Sequence, residues 1–85
     1  MAGPTVTTRL LEAVDRTLDG DWEAAHRVVQ DLDDDAVAVW LHAVVHRIEG
    51  DVPNALYWYR RCGRQLREDV STAAELHEIK AVLLG

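Results

Sequence analysis

Gly50-Asp51-Val52-Pro53-Asn54-Ala55 answers Gly20-Asp21-Trp22-Glu23-Ala24-Ala25 at a distance of thirty residues, and the two stretches together decide how the chain reads. Glycine takes the left-handed backbone that ends a helix, and aspartate accepts from the amides that open the next one. A small residue four positions on lets that helix lie close to its predecessor. Each stretch therefore predicts the turn of a helical hairpin. The same offset places Leu11 on Leu41, Ala13 on Ala43 and Val14 on Val44, so the helices before the turns match too.

Outward from these turns the pattern is helical throughout, with no sustained alternation of apolar and polar residues. A first helix is expected from Thr5 to about Leu18, burying Leu10, Leu11, Val14 and Leu18. A second follows from the Asp21 cap with Trp22, Ala25, Val29 and Leu32 as its stripe. The third, Asp35 to Glu49, is apolar on nearly every side and should be central. The fourth carries Pro53 in its first turn and buries Ala55, Trp58, Tyr59 and Cys62, with helical character extending towards Leu66. A last helix over 71–84 opens at Ser71 or Thr72, the latter at capping-box spacing from Glu75, and buries Leu76, Ile79, Val82 and Leu83. The expectation is one all-α domain over residues 1–85: hairpin 1 at 5–32, hairpin 2 at 35–62, and a capping helix.

Composition agrees with a single folded unit. Eighty-five residues allow one core, and 48% hydrophobic with 28% charged residues is more apolar than disordered chains are. A net charge of −6 disfavours nucleic acid and anionic membranes as partners. Cys62 stands alone, so no internal disulfide forms, and the chain reads as cytoplasmic, without a secretory or membrane-spanning segment.

Gly50-Asp51-x-x-x-Ala55-x-x-x-Tyr59, with Ala43 upstream and Gly20 to Ala25 as a second copy, resembles the tetratricopeptide repeat over about Thr5 to Gly63. The spacing of thirty departs from the family's thirty-four, and His42 and His46 replace large residues of its first helix. The resemblance implies an antiparallel five-helix array that holds peptides or proteins on a concave face. By position that face would be Val37, Trp40, Val44 and Arg47 in the second copy and Thr7, Leu10, Val14 and Thr17 in the first. The stretch from His42 to Arg61 also resembles a group of short microbial proteins, from which no activity carries over.

Two constellations could carry chemistry. His42 and His46 share a helix face one turn apart, Glu49 follows, and His26 lies on the adjacent helix, a spacing from which imidazoles can bind a metal ion. The other reading is partly buried histidines hydrogen-bonded to carboxylates or backbone. Tyr57 and Arg61 are four apart beside Asn54, a polar-aromatic patch able to grip a carboxylate, phosphate or base, unless the two side chains only cover each other. Arg60, Arg61, Arg64 and Arg67 form a local basic stretch that suits the Asp33 to Asp35 run of a neighbouring molecule at least as well as nucleic acid.

No nucleophile elbow, phosphate loop or paired-cysteine motif is present, and no cofactor is indicated. The reading is a protein-interaction module with Trp40, Val44, Arg47, Asn54, Tyr57 and Arg61 as its surface, binding a protein, a peptide or its own copy. The alternative is a metal or small-ligand binder using His26, His42, His46 and Glu49 with Asn54, Tyr57 and Arg61. Apolar area left over around Trp22, Trp40 or Tyr57 would favour a homodimer.

Overall fold

A computed structural model describes residues 5–85. Among them are five α-helices and no strand: α1 Val6–Leu18, α2 Trp22–Val29, α3 Ala36–Glu49, α4 Val52–Arg61 and α5 Thr72–Leu84. The two Gly-Asp turns are structural copies. Gly20 and Gly50 have φ of 97° and 90°. The following amides reach back to close the preceding helices, Asp21 N–H to Arg16 O at 2.8 Å and Asp51 N–H to His46 O at 2.9 Å. Asp21 and Asp51 then accept from the backbone N–H of Ala24 and Asn54. Ala13, Ala25, Ala43 and Ala55 are all buried, so both hairpins close over small side chains.

Gly63 makes the same stop a third time, with Arg64 N–H donating to Tyr59 O at 2.9 Å. Here an arginine stands where Asp21 and Asp51 stood, so no cap restarts the helix. The expected extension to Leu66 does not occur; α4 ends at Arg61, and the next helix waits for Ser71.

Ser71 is the N-cap of α5, accepting from Ala74 N–H at 3.0 Å. The capping box expected between Thr72 and Glu75 therefore does not form. Glu75 instead turns inward with Leu76 and Ile79, while Val82, expected in the core, is exposed.

Helix α3 is central, as its all-round apolar sequence required. It lies against α2, α4 and α5, with α1 also reaching it, and residues 38 to 46 are buried without a break. Helix α5 packs on α1 and α3, while α4 packs on α3 and reaches α5 through the Tyr59 side chain. Burying Leu76 and Ile79 against those two helices stabilises the arrangement by about 1.5–3 kcal/mol per side chain.

Candidate functional site

The path of α5 decides which surfaces are open. Leu10, Val14, Trp40 and Val44, on the two helices that α5 packs against, are fully enclosed, with Trp40 at 2% exposure. Arg47 is largely enclosed as well. Most of the face expected to receive a partner is thus enclosed, with Thr7 exposed and Val37 half-buried, and Trp40, Val44 and Arg47 present no open binding surface. The expectation that Trp40 contributes leftover apolar area fails for the same reason.

What fixes α5 there is Glu75, 1% exposed. Its Oε2 accepts from Trp40 Nε1 at 2.8 Å, and its Oε1 accepts from Arg47 Nη1 at 2.9 Å and Tyr59 Oη at 2.6 Å. Arg47 also donates to Val70 O at 2.6 Å, and Arg67 stands 3.9 Å from the carboxylate. Burial, then the hydrogen bond to Glu75 and its negative charge, push the Tyr59 hydroxyl well above its ordinary pKa. Sequence reasoning missed Glu75 as an internal anchor. The available signal was Arg47, an arginine on a helix with no solvent face to spare, which demands a buried counter-charge.

Asn54, Tyr57 and Arg61 stay on the outer side of α4. Tyr57 is 50% exposed. Arg61 places its guanidinium 6.0 Å above the Tyr57 ring and 5.0 Å above the half-buried Trp58, the range of a cation–π contact. Asn54 donates to Asp51 at 2.6 Å, which buttresses the start of the helix and holds the Asp51 carboxyl below its ordinary pKa. Beyond α4, Arg64 stacks on the edge of the core, its guanidinium 3.4 Å from the centre of the Trp40 ring. Arg60, Arg61 and Arg64 make no ion pair with any carboxylate among the described residues, whereas Arg47 and Arg67 do.

The histidines converge. His26 on α2 meets His42 and His46 on α3 with ring centroids 5.0 and 5.2 Å away, and His42 and His46 stack at 5.0 Å. One ring nitrogen of each lies within 4.8 Å of one from the other two. His42 is 4% exposed, lies flat on Trp58 at 3.9 Å, and its Nδ1 has no hydrogen-bond partner. His46 Nδ1 is 3.1 Å from Glu49 Oε1, and His26 Nδ1 is 3.0 Å from Gln30 Nε2. Burial, then repulsion from the His46, His26 and Arg61 charges, pushes the His42 pKa down to about 4. Burial chiefly, with His46 next, lowers that of His26. Cys62 is half-buried with its thiol directed at Tyr59 O, and burial raises its pKa, which suits a packing role better than a nucleophile.

No helix among the described residues is long and apolar enough to cross a membrane. No protein-family model matches the chain, and no curated protein or solved structure matches it either.

Proposed function

We propose that the chain is a small helical-repeat interaction domain, tetratricopeptide-like in its two hairpins, that docks an acidic segment of a protein on the outer side of α4. The docking residues are Tyr57 and Arg61 beside Asn54, joined by Arg60 and Arg64. The observation that carries this reading is Arg61 over the exposed Tyr57, with Arg60 and Arg64 near it in sequence and, like it, without a carboxylate partner among the described residues, on a chain whose net charge is −6. A local cationic patch on an acidic protein steers an acidic partner to one place. Tyrosine and arginine are the side chains that most often anchor such contacts. The position also suits a partner, since Asn54, Tyr57, Arg60 and Arg61 are all exposed on α4.

A second copy of the chain is one possible supplier of the acidic segment, through the exposed Asp31, Asp33 and Asp34 of the α2–α3 turn. Trp40, Val44 and Arg47 play no part, because they are enclosed.

Fluorescence anisotropy with a labelled glutamate-rich peptide tests the reading, with sedimentation velocity reporting self-association. Binding should be present at low salt and vanish near about 1 M, where charges are screened beyond about 3 Å. A Tyr57→Ala, Arg61→Glu double variant should bind at least about tenfold more weakly, a loss of about 1.4 kcal/mol, with unchanged helicity. Absence of binding at low salt, or equal binding by the variant, overturns it. Salt-sensitive association of the protein with itself, lost in the same variant, identifies the second copy as the partner. Binding of a single-stranded oligonucleotide in place of the peptide rejects the reading in favour of nucleic acid.

A further inference from the structure

The docking surface leaves the three histidines unused. We propose that His26, His42 and His46 form a three-imidazole site for a divalent transition-metal ion of the zinc class. His42 and His46 point the same way because they are one helical turn apart on α3, and His26 meets them because α2 packs on α3. The rings already stand with one nitrogen each within 4.8 Å of the others. Tetrahedral coordination at Zn–N of about 2.0–2.1 Å brings such nitrogens to about 3.3 Å, so the rings close by at most roughly 1.5 Å on loading. His26, the least buried of the three, has the freedom to supply most of that movement.

A second, independent observation points to a ligand. The Nδ1 atom of His42 is buried without a partner, a rarity among buried polar atoms, and a metal ion or its bound water would satisfy that ring. The surroundings favour the form that binds metal. The Glu49 carboxylate at His46 Nδ1 draws the ring proton to that side and leaves Nε2 free, the carboxylate–histidine–metal arrangement. Imidazole donors select zinc, copper, nickel or cobalt over calcium or magnesium. The neighbouring combination of His46, Glu49 and Asp51 is the weaker set, since both Asp51 oxygens already accept from Asn54.

The test is titration of chelator-treated protein with Co²⁺, read by the visible absorbance of a tetrahedral site, followed by displacement with Zn²⁺. One ion per chain at micromolar affinity or tighter is expected, together with a rise in melting temperature on adding Zn²⁺. His26→Ala removes a half-buried ligand and leaves the core intact; it should weaken binding by more than about a hundredfold, beyond what loss of an outer-sphere partner costs, and abolish the thermal shift. His46→Ala, with helicity checked by circular dichroism, should do the same. Binding no tighter than millimolar overturns the proposal. So does undiminished affinity in both variants, which would place the ion elsewhere, at His77 or the acidic turn. Either failure leaves the α4 docking surface untouched.

Discussion

Replacing Glu75 by alanine should be the most damaging single substitution in the chain. The carboxylate is 1% exposed and is the shared acceptor for Trp40, Arg47 and Tyr59. Removing it leaves the Arg47 guanidinium largely enclosed with only Val70 O as partner, and leaves the Trp40 N–H and the Tyr59 hydroxyl without one. Breaking one side of a buried ion pair costs about 3–5 kcal/mol. Each orphaned neutral donor adds about 1–3 kcal/mol unless water reaches it. Against a stability of about 5–15 kcal/mol for a domain, the lower figure alone takes much of the margin. At about 4–8 °C per kcal/mol for a chain of this size, the melting temperature should fall by at least about 12 °C. Urea unfolding followed by circular dichroism measures the loss. Glu75→Gln, which keeps one acceptor oxygen, should fall between wild type and alanine. Joint replacement of Glu75 and Arg47 by methionine should recover part of the deficit, because an apolar pair leaves neither charge stranded. A loss below about 1 kcal/mol in Glu75→Ala would refute the internal anchor, since such a value belongs to an exposed ion pair.

The depressed pKa of His42 makes stability rise with pH between about 4 and 6.5: the unfolded chain takes up a proton there that the folded chain refuses. Lowering the pH from 7 to 4 should therefore remove at most about 3 kcal/mol through this residue, and a His42→Gln variant should show a flatter profile of urea midpoint against pH; parallel profiles would refute the assignment. Gly50→Ala should cost about 1–2 kcal/mol, all of it backbone strain, because φ is 90° and an added Cβ meets nothing within 4 Å; Gly20→Ala should match it, and a thermal melt that leaves both unchanged would contradict the turn geometry. Ser71→Ala should lose about 1 kcal/mol and Thr72→Ala much less, and the reverse order in denaturant titration would restore the capping box at Thr72.

The helices and their order were legible because the signals that set them are local. Gly20, Asp21, Gly50 and Asp51 act on their immediate neighbours, and apolar residues on nearly every side of 36–48 announce a helix surrounded by others. The path of α5 was not legible, since it depends on a carboxylate meeting an indole 35 residues away and a guanidinium 28 residues away. Capping preference and burial compete for Glu75, and spacing alone favours the cap; the three buried donors decide for burial. Val82 lies two turns beyond Glu75 on the same side of α5 and is exposed in the last turn of the helix, so its spacing alone did not show where the core ends. In the candidate sites, His42 with His46 and Tyr57 with Arg61 follow from helical periodicity. The approach of His26 depends on α2 packing on α3 across the turn at 30–35, which joins the two hairpins. The enclosure of Trp40, Val44 and Arg47 is a tertiary fact with no local trace.

The anchoring of α5 also dictates an order of events as the chain folds. Each hairpin joins residues near one another in sequence, so its loop closes at small entropic expense, while the Lys80–Asp15 contact spans 65 residues and Glu75 must find three partners contributed by two earlier helices. The hairpins should therefore assemble first and α5 seat itself after the rate-determining barrier. In stopped-flow experiments, substitutions at Glu75 should accelerate unfolding and leave the refolding limb of the chevron nearly unmoved.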